Sequence, residues 1–303
     1  MDEKVIEVKN FRKTYGSFVA VEGISFEVRR GEIFGLLGPN GAGKTSTLES
    51  LEGLRQPDGG TLNLLGVDPS RDLHKLVKLI GVQLQASGLP ASMTPVEAMN
   101  FFCAYHDVAP RYDLLERLGL KEKKTEQFAT LSTGQQRRLA LALAIAHDPQ
   151  VLFLDEPTAG LDVPSRLELH EMMREFQKNG TTIIMATHDM AEAEKMAHRV
   201  AILLKGKIAA TGTPAQLTAT GQGLTKISVL SEQAILNHNG TDFPGVNKHL
   251  VKDEYAVYYS IDAGQSVVAI LAYLKAKNDK LIDLRVERPS LEERFLEITQ
   301  DNQ

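Results

Sequence analysis

Cysteine is nearly absent from this chain, because Cys103 is its only example among 303 residues. A single cysteine cannot close an internal disulfide, and it cannot supply a cysteine-built metal site. The apolar residues around it, from Ala98 to Tyr105, favour a small buried residue on a helix over a nucleophile. The chain is therefore neither a disulfide scaffold nor a cysteine-based metalloprotein.

Long apolar runs are also missing. The longest, Leu139–Ala146, is rich in alanine and flanked by charged residues and a histidine, and it falls well short of the roughly 18 to 20 residues that span a bilayer. It predicts a buried helix. The first residues, MDEKVIEVKNF, have two acids in the first three positions and no apolar core, which argues against a secretory signal. We expect a cytosolic protein unless a partner holds it at a membrane.

The chain has no excess of basic residues. Its formal net charge is −5, and lysine and arginine are spread along its length, whereas nucleic-acid binding usually needs a basic stripe. We expect no nucleic-acid partner. The hydrophobic share of 43% and the charged share of 24% are those of an ordinary globular protein. The length favours one large domain and a smaller one.

A phosphate-binding loop is the clearest motif. The stretch GPNGAGKTS matches G-x-x-x-x-G-K-[ST], and it follows a predicted buried strand, Ile33–Leu37, and precedes a predicted helix. A glycine turn without a ligand is the alternative, but this strand and helix favour a phosphate site, where backbone N–H groups approach phosphate oxygens. Lys44 is expected to reach the terminal phosphates and Thr45 to bind Mg²⁺. The predicted nucleotide-binding residues of the loop are Gly38, Pro39, Asn40, Gly41, Ala42, Gly43, Lys44, Thr45 and Ser46.

Two acids end the apolar run Val151–Leu154. Parallel strands of an α/β sheet place their carboxyl ends at the ligand crevice. We therefore expect Asp155 to hold Mg²⁺, directly or through water, and Glu156 to face the attacking water as base or orienter. Acids also end many surface strands, so the phosphate loop upstream is what favours the metal site.

Two more polar residues end predicted strands. Thr181–Thr187 leads to His188, whose imidazole can reach a γ-phosphate and link it to the water or the base. Leu79–Leu84 leads to Gln85, which is either an ordinary surface amide or a group that reaches the metal or the water. Gln83 competes for that role, but Gln85 lies at the loop edge. We predict His188 and Gln85 as catalytic residues, with Gln85 also a metal ligand.

The segment LSTGQ, Leu131–Gln135, precedes the predicted apolar helix. Ser132 can simply cap that helix, but the same geometry also offers a hydroxyl, N–H groups and a positive helix end to an anion. Tyr15 lies beside a turn in residues 4–28, whose alternating pattern predicts a half-exposed antiparallel sheet. It could pack on that sheet or stack on adenine, and spacing alone favours neither.

Together these segments resemble the ATP-binding cassette of ABC transporters. The resemblance rests on Tyr15, GPNGAGKT, Gln85, LSTGQ, LFLDEP, GLD and His188, in that order, from residue 4 to about residue 217. The phosphate loop alone would indicate only some nucleotide hydrolase, whereas LSTGQ and the histidine after it make the likeness specific. The resemblance implies an ATPase that uses ATP and Mg²⁺.

The family also implies a head-to-tail dimer, in which the LSTGQ serine and glycine of one copy close over the γ-phosphate bound by Lys44 of the other. The nucleotide-binding residues that it adds to the loop are Tyr15, Ser132, Gly134, Gln135 and Asp162. It implies integral-membrane permease subunits as partners, contacted by the insertion after Gln85, and so a place on the cytoplasmic face of the membrane. Two departures are Thr133, where glycine is usual, and the lack of a proline before Gln85.

The predicted fold is an α/β P-loop cassette with a mixed sheet, an antiparallel subdomain and a helical insertion, followed by a small α+β domain. The cassette spans residues 1–217 with its insertion at about 86–131, a linker spans 218–223, and the accessory domain spans 224–303. The tail reads strand, helix, strand, strand, helix, strand, which is a split βαβ or ferredoxin-like order. We interpret it as a regulatory or docking module.

The tail resembles the extension on the ATPase subunits of bacterial drug and antibiotic exporters, which favours export of a hydrophobic compound. A DNA-repair ATPase of the same superfamily would show a long coiled coil or zinc cysteines in the insertion, which is short here. A ribosome-associated ATPase would carry two cassettes. An importer ATPase remains an alternative, because the substrate path lies in the partner.

Overall fold

The computed structural model of the chain describes residues 3–83, 88–219, 224–238, 242–287 and 290–301. It divides into two compact units, residues 1–213 and 214–303. The division falls four residues before the predicted end of the cassette, because a helix at Pro214–Ala219 belongs to the second unit. Residues 220–223 of the predicted linker lie outside the described residues, as does Gln85.

The first unit alternates strands and helices. In chain order it contains β1 (Lys4–Tyr15), β2 (Phe18–Arg29), β3 (Ile33–Leu37), α1 (Lys44–Leu51), β4 (Gly59–Leu64), α2 (Leu73–Leu76), β5 (Ile80–Gln83), α3 (Pro95–Tyr105), α4 (Tyr112–Arg117), α5 (Thr133–Ile145), β6 (Val151–Asp155), α6 (Val163–Lys178), β7 (Thr182–Thr187), α7 (Met190–Met196), β8 (Arg199–Leu204) and β9 (Lys207–Gly212).

These strands form two sheets. β2, β1 and β4 make an antiparallel sheet, and the second sheet has the order β5-β6-β7-β3-β8-β9, parallel except for β9. Every residue of β3, β6 and β7 is buried, because helices cover both faces of such a sheet. The predicted α/β class is confirmed. The carboxyl ends of β3, β6 and β7 are neighbours, so they present Leu37, Asp155 and Thr187 at one edge.

The insertion is helical, as predicted. α3 begins with a capping box, in which Thr94 Oγ1 accepts from the backbone N of Glu97 and Glu97 Oε2 accepts from the backbone N of Thr94. Such reciprocal bonds satisfy two donors that a helix start leaves free. Cys103 on α3 is fully buried. Among the described residues, none of the helices is both long and apolar enough to cross a membrane.

The second unit has its own core around Tyr258 and Ile270. Its elements are α8 (Pro214–Ala219), β10 (Thr225–Ser231), α9 (Ile235–His238), β11 (Val246–Lys252), β12 (Tyr255–Ser260), α10 (Ala263–Ala276), β13 (Leu281–Glu287) and α11 (Leu291–Asp301). The sheet order is β11-β12-β10-β13, with all pairs antiparallel. This is the split βαβ arrangement that the sequence predicts.

Candidate active site

The loop between β3 and α1 depends on two glycines. Gly38 has a φ of 153° and Gly43 a φ of 103°, which side chains rarely adopt. A Cβ on Gly38 would lie 2.3 Å from the backbone oxygen of Leu203, and a Cβ on Gly43 would lie 2.6 Å from that of Ala20. Any larger residue would push the loop away from the strands that support it. The loop backbone is thus packed into place on two sides.

Lys44 points back into this loop. Its Nζ donates to the carbonyl oxygens of Gly38 at 2.8 Å and Pro39 at 3.3 Å, and lies 3.7 Å from Glu156 Oε1. The residue is only 6% exposed, and this burial lowers the pKa of its amine, while Glu156 and Asp155 act in the opposite direction. A buried ammonium surrounded by loop backbone is suited to an anionic group such as phosphate.

Asp155 and Thr45 lie together at the end of β6 and the start of α1. The Thr45 hydroxyl donates to Asp155 Oδ2 at 3.1 Å, while Asp155 Oδ1 is buried and has no hydrogen-bond partner within the described residues. Burial raises the pKa of this carboxyl, and the bond from Thr45 opposes the rise. A free carboxylate oxygen beside a hydroxyl fits a hard cation such as Mg²⁺.

The Thr45 hydroxyl and the Asp155 carboxylate alone would not complete the coordination of a metal ion. In the part of the chain that the structure describes, no group of three or more His, Cys, Asp or Glu side chains could hold a metal ion. Mg²⁺ is ordinarily held by one or two protein groups together with substrate phosphates and water. The residues present therefore fit a cation that arrives with a nucleotide.

Glu156 is held from several directions. Its φ is 50°, its backbone N donates to Ala186 O at 2.9 Å, and its backbone O accepts from Arg137 Nη1 at 3.0 Å. Its carboxylate is 2.8 Å from His188 Nδ1 through Oε2, while Oε1 faces Lys44. The Glu156 side chain is 9% exposed and that of His188 is 57% exposed. The pair therefore joins a sheltered carboxylate to an imidazole that solvent reaches.

Most of these groups line a cavity of about 170 Å³. It is lined by Tyr15, Phe18, Ala20, Asn40, Gly41, Gly43, Lys44, Thr45, Ser46 and Glu156. Of the other predicted loop residues, Pro39 and Ala42 support the loop, since Ala42 N donates to Pro39 O at 3.2 Å. Tyr15 is 39% exposed, and its hydroxyl lies 3.2 Å from Ser46 Oγ. The Tyr15 side chain therefore lies at the edge of the cavity, beside the phosphate loop.

Phe18 was missed by the sequence reasoning. It pairs with Tyr15 across the hairpin and is 60% exposed beside the cavity. Its position just after the turn that follows Tyr15 could have predicted this placement, because residues paired across a hairpin lie close together. The two rings offer apolar surface next to the phosphate loop.

A second group of predicted residues lies at two other helix starts. Ser132 caps α5, and its Oγ accepts from Gln135 N at 3.3 Å while Gln135 Oε1 accepts from Ser132 N at 2.9 Å. Asp162 caps α6 by accepting from Ser165 N at 3.1 Å, and a Cβ on Gly134 would lie 3.6 Å from Ser165 Oγ. Of the described residues that line the cavity, none comes from this group. One copy of the chain thus holds two separate sets of predicted nucleotide-binding residues, one at the cavity and one at the starts of α5 and α6.

Comparison with known proteins gives a consistent picture. Residues 21–159 match the family model described as ABC transporter. Nod factor export ATP-binding protein I of Paraburkholderia xenovorans is 36% identical over 307 residues, covering 99% of this chain and 98% of that protein. Linearmycin resistance ATP-binding protein LnrL of Bacillus subtilis is 30% identical over 311 residues, covering 97% and 98%.

A solved structure is similar to the chain as well. It is the dimeric post-hydrolysis state of an ATP-binding cassette bound to ADP and Pi, with 25% sequence identity and a TM-score of 0.63. The likeness covers 69% of this chain and 98% of that one. The nucleotide in that structure belongs to a cassette of the same fold.

Proposed function

This chain belongs to the ABC transporter family, as an ATP-binding subunit with ATPase activity, and from that premise we propose that it drives a separate membrane permease that exports a hydrophobic compound of drug or antibiotic type. The direction of transport is inferred from the full-length similarity to an export protein and to an antibiotic-resistance protein. Both likenesses include the second unit as well as the cassette. The permease would hold the subunit at the cytoplasmic face of the membrane.

Nucleotide binding is assigned to the phosphate loop and its neighbours. Lys44 binds the terminal phosphates, and the loop N–H groups bind the remaining phosphate oxygens. Thr45 and Asp155 hold Mg²⁺, which supplies charge neutralisation at the phosphates when bound. Tyr15 and Phe18 provide the apolar surface for the adenine ring. Support for these roles comes from the single cavity that these residues share or border.

Hydrolysis is assigned to Glu156 and His188. The Glu156 carboxylate accepts a proton from the attacking water or orients it, and the imidazole fixes the carboxylate through the 2.8 Å contact. Glu156 follows the last residue of β6 with a left-handed backbone, and its Oε1 lies 3.7 Å from Lys44 Nζ. Gln85 remains a predicted catalytic and metal-contacting residue.

The second set of residues completes the site of another copy. Ser132 and Gly134 present the start of α5, where free N–H groups and the helix dipole favour an anion. They are not part of the cavity that holds Lys44 in their own chain. A head-to-tail dimer would bring them to the partner's γ-phosphate, with Gln135 and Asp162 beside them, and the similar solved cassette is a dimer.

The test of nucleotide binding is the Lys44→Ala variant. We expect its affinity for Mg·ATP to fall by about 10- to 100-fold, because charge-assisted hydrogen bonds to phosphate are lost from a buried site. Isothermal titration calorimetry would measure it. Lys4→Ala is the matched control, since Lys4 is exposed and its amine pairs with Glu27 at the surface. Unchanged binding by Lys44→Ala would contradict the site.

The second unit is assigned to regulation or docking. We expect a chain that stops at Thr213 to fold and to bind Mg·ATP with wild-type affinity, because the first unit contains its own cores and the whole phosphate cavity. Stability of the dimer or coupling to the permease should decrease. Circular dichroism and nucleotide titration check this. A truncated protein that is folded but cannot bind nucleotide would show that residues 214–303 form part of the site.

A further inference from the structure

A buried acid lies behind the turn that carries His188. Glu192 is on α7, the helix that follows this turn. Its Oε2 accepts from the Thr187 hydroxyl at 2.9 Å, and its Oε1 lies 3.1 Å from His170 Nε2. Neither Glu192 nor His170 lines the nucleotide cavity. Any effect of this carboxylate on a bound nucleotide must therefore pass through other residues.

The Thr187 hydroxyl joins Glu192 to both neighbours of His188. Thr187 is the last residue of β7, and besides donating to Glu192 its Oγ1 accepts from the backbone N of Asp189 at 3.0 Å. Asp189 in turn caps α7, because its Oδ1 accepts from the backbone N of Glu192 at 2.9 Å. A closed set of hydrogen bonds thus connects the residues on either side of His188 to Glu192. These bonds fix the backbone from which the imidazole projects.

His170 holds the same carboxylate from α6. The side chains of His170 and Glu192 are 3% and 1% exposed, and His170 Nδ1 has no hydrogen-bond partner among the described residues. A neutral imidazole carries one hydrogen, so the contact with the carboxylate assigns it to Nε2 and leaves a lone pair at Nδ1. Each carboxylate oxygen of Glu192 then has one donor, from the end of β7 and from α6. Arg166 on α6 adds a weaker connection, since its guanidinium lies 3.7 Å from Asp189 Oδ2 at the surface.

The His188 imidazole depends on this turn for its position. Its side chain is 57% exposed, and its Nδ1 lies 2.8 Å from Glu156 Oε2. A misplacement of about 1 Å in such a contact can lower a rate by about 10²-fold, so the backbone that carries the ring has to be held firmly. The buried bonds of Glu192 hold it from the side that solvent does not reach.

We propose that Glu192 is a positioning residue for ATP hydrolysis, because its carboxylate holds the turn that keeps the His188 imidazole against Glu156. His170 anchors this carboxylate from α6. The inference rests on the proposed function, because it requires that His188 acts on hydrolysis through the bound nucleotide or Glu156. Since Glu192 does not line the cavity, its loss should lower turnover and leave the affinity for Mg·ATP unchanged.

The first test measures turnover and nucleotide binding in two variants of Glu192. Glu192→Ala removes both side-chain contacts, and we expect its turnover to fall by about 10- to 100-fold while its affinity for Mg·ATP stays within about twofold. Glu192→Gln keeps the size of the side chain, and its amide oxygen can still accept from Thr187, so its loss should be smaller, about 3- to 10-fold. Thermal unfolding checks that each variant is folded. Glu194→Gln, at an exposed position of α7, is the matched control and should keep wild-type turnover.

The second test asks whether Glu192 acts through His188. In a His188→Ala background, Glu192→Gln should cost less than about twofold in single-turnover hydrolysis, because the group that it positions is gone. A readout that does not depend on activity is the nitrogen NMR spectrum of protein with isotope-labelled histidine, in which the His188 signals are those missing from His188→Ala. These signals should shift in Glu192→Gln and stay in place in Glu194→Gln.

The outcomes separate this inference from the proposed function. Wild-type turnover in the two Glu192 variants, equal losses in both backgrounds, or unshifted His188 signals would overturn the positioning role. Each of these results would leave Lys44 and Glu156 in their assigned roles. An unaltered chain that does not hydrolyse ATP, or a His188→Ala variant with wild-type turnover, would instead contradict the assignment of hydrolysis on which the inference rests.

Discussion

The Glu156→Gln variant should bind Mg·ATP almost as well as the unaltered chain and lose about 10²- to 10⁴-fold of its turnover, which is the usual contribution of a general base. Glutamine keeps the size of the side chain, but it cannot accept the proton of the attacking water. Lys44, Thr45 and Asp155 are untouched, so the nucleotide should still be held. Single-turnover hydrolysis and nucleotide titration measure the two effects separately.

The control for this substitution is Glu175→Gln. Glu175 is 51% exposed and pairs with Arg117 on the surface, so its replacement should leave turnover unchanged. Wild-type turnover in Glu156→Gln would remove Glu156 from the catalytic role. Reduced binding with normal turnover of the bound nucleotide would instead assign the carboxylate to holding the metal.

The Ser132→Arg variant should be inactive alone and should recover activity when mixed with Lys44→Ala protein. In the proposed dimer each site takes Lys44 from one copy and Ser132 from the other, so a mixed dimer has one intact site and one site with both defects. Random pairing at equal amounts then gives at most about a quarter of the wild-type activity, because half of the dimers are mixed and each has one intact site of two. Steady-state ATPase assays over a range of mixing ratios measure this.

Two controls make the mixing result interpretable. Mixing wild-type protein with a chain that carries both substitutions places both defects in the same copy, so each mixed dimer has two singly defective sites and should be inactive. At equal amounts only the quarter of the dimers that are wild-type pairs should be active, so the wild-type protein should lose about half of its activity on mixing, whereas the two single variants should gain activity. Thermal unfolding of Ser132→Arg should show only the loss of a helix cap, about 1 kcal/mol. Full activity of Ser132→Arg alone, or activity per subunit that does not depend on protein concentration, would contradict the shared site.

Most of the candidate site at this edge of the sheet could be predicted from the sequence, because short-range patterns determine it. Buried runs without alternation indicated β3, β6 and β7, and parallel strands place their carboxyl ends together. That rule was enough to bring Lys44, Asp155 and His188 to one edge. These three residues come together because β3, β6 and β7 are neighbours in the sheet.

Features that depend on long-range packing could not be predicted. Nothing local in the sequence shows that Glu52, which follows the last residue of α1, is only 4% exposed, or that it lines a cavity bordered by α3 and α5. The bond from Arg137 to the backbone of Glu156 joins residues on different elements. The sequence reasoning placed residues 214–217 at the end of the cassette and began the linker at residue 218, whereas Pro214–Ala219 forms a helix of the second unit.

The bond between Arg137 and Glu156 has a consequence for how two nucleotides would be used. Arg137 lies on α5, whose N-cap is Ser132, so the same helix supports the backbone of Glu156 in its own chain and, in the proposed dimer, reaches the partner's phosphate. Occupancy at one site would then alter the geometry at the other, and linkage requires the influence to be mutual. Such a dimer would not use its two nucleotides independently, and a hydrolysis event at one site would change the timing of the next.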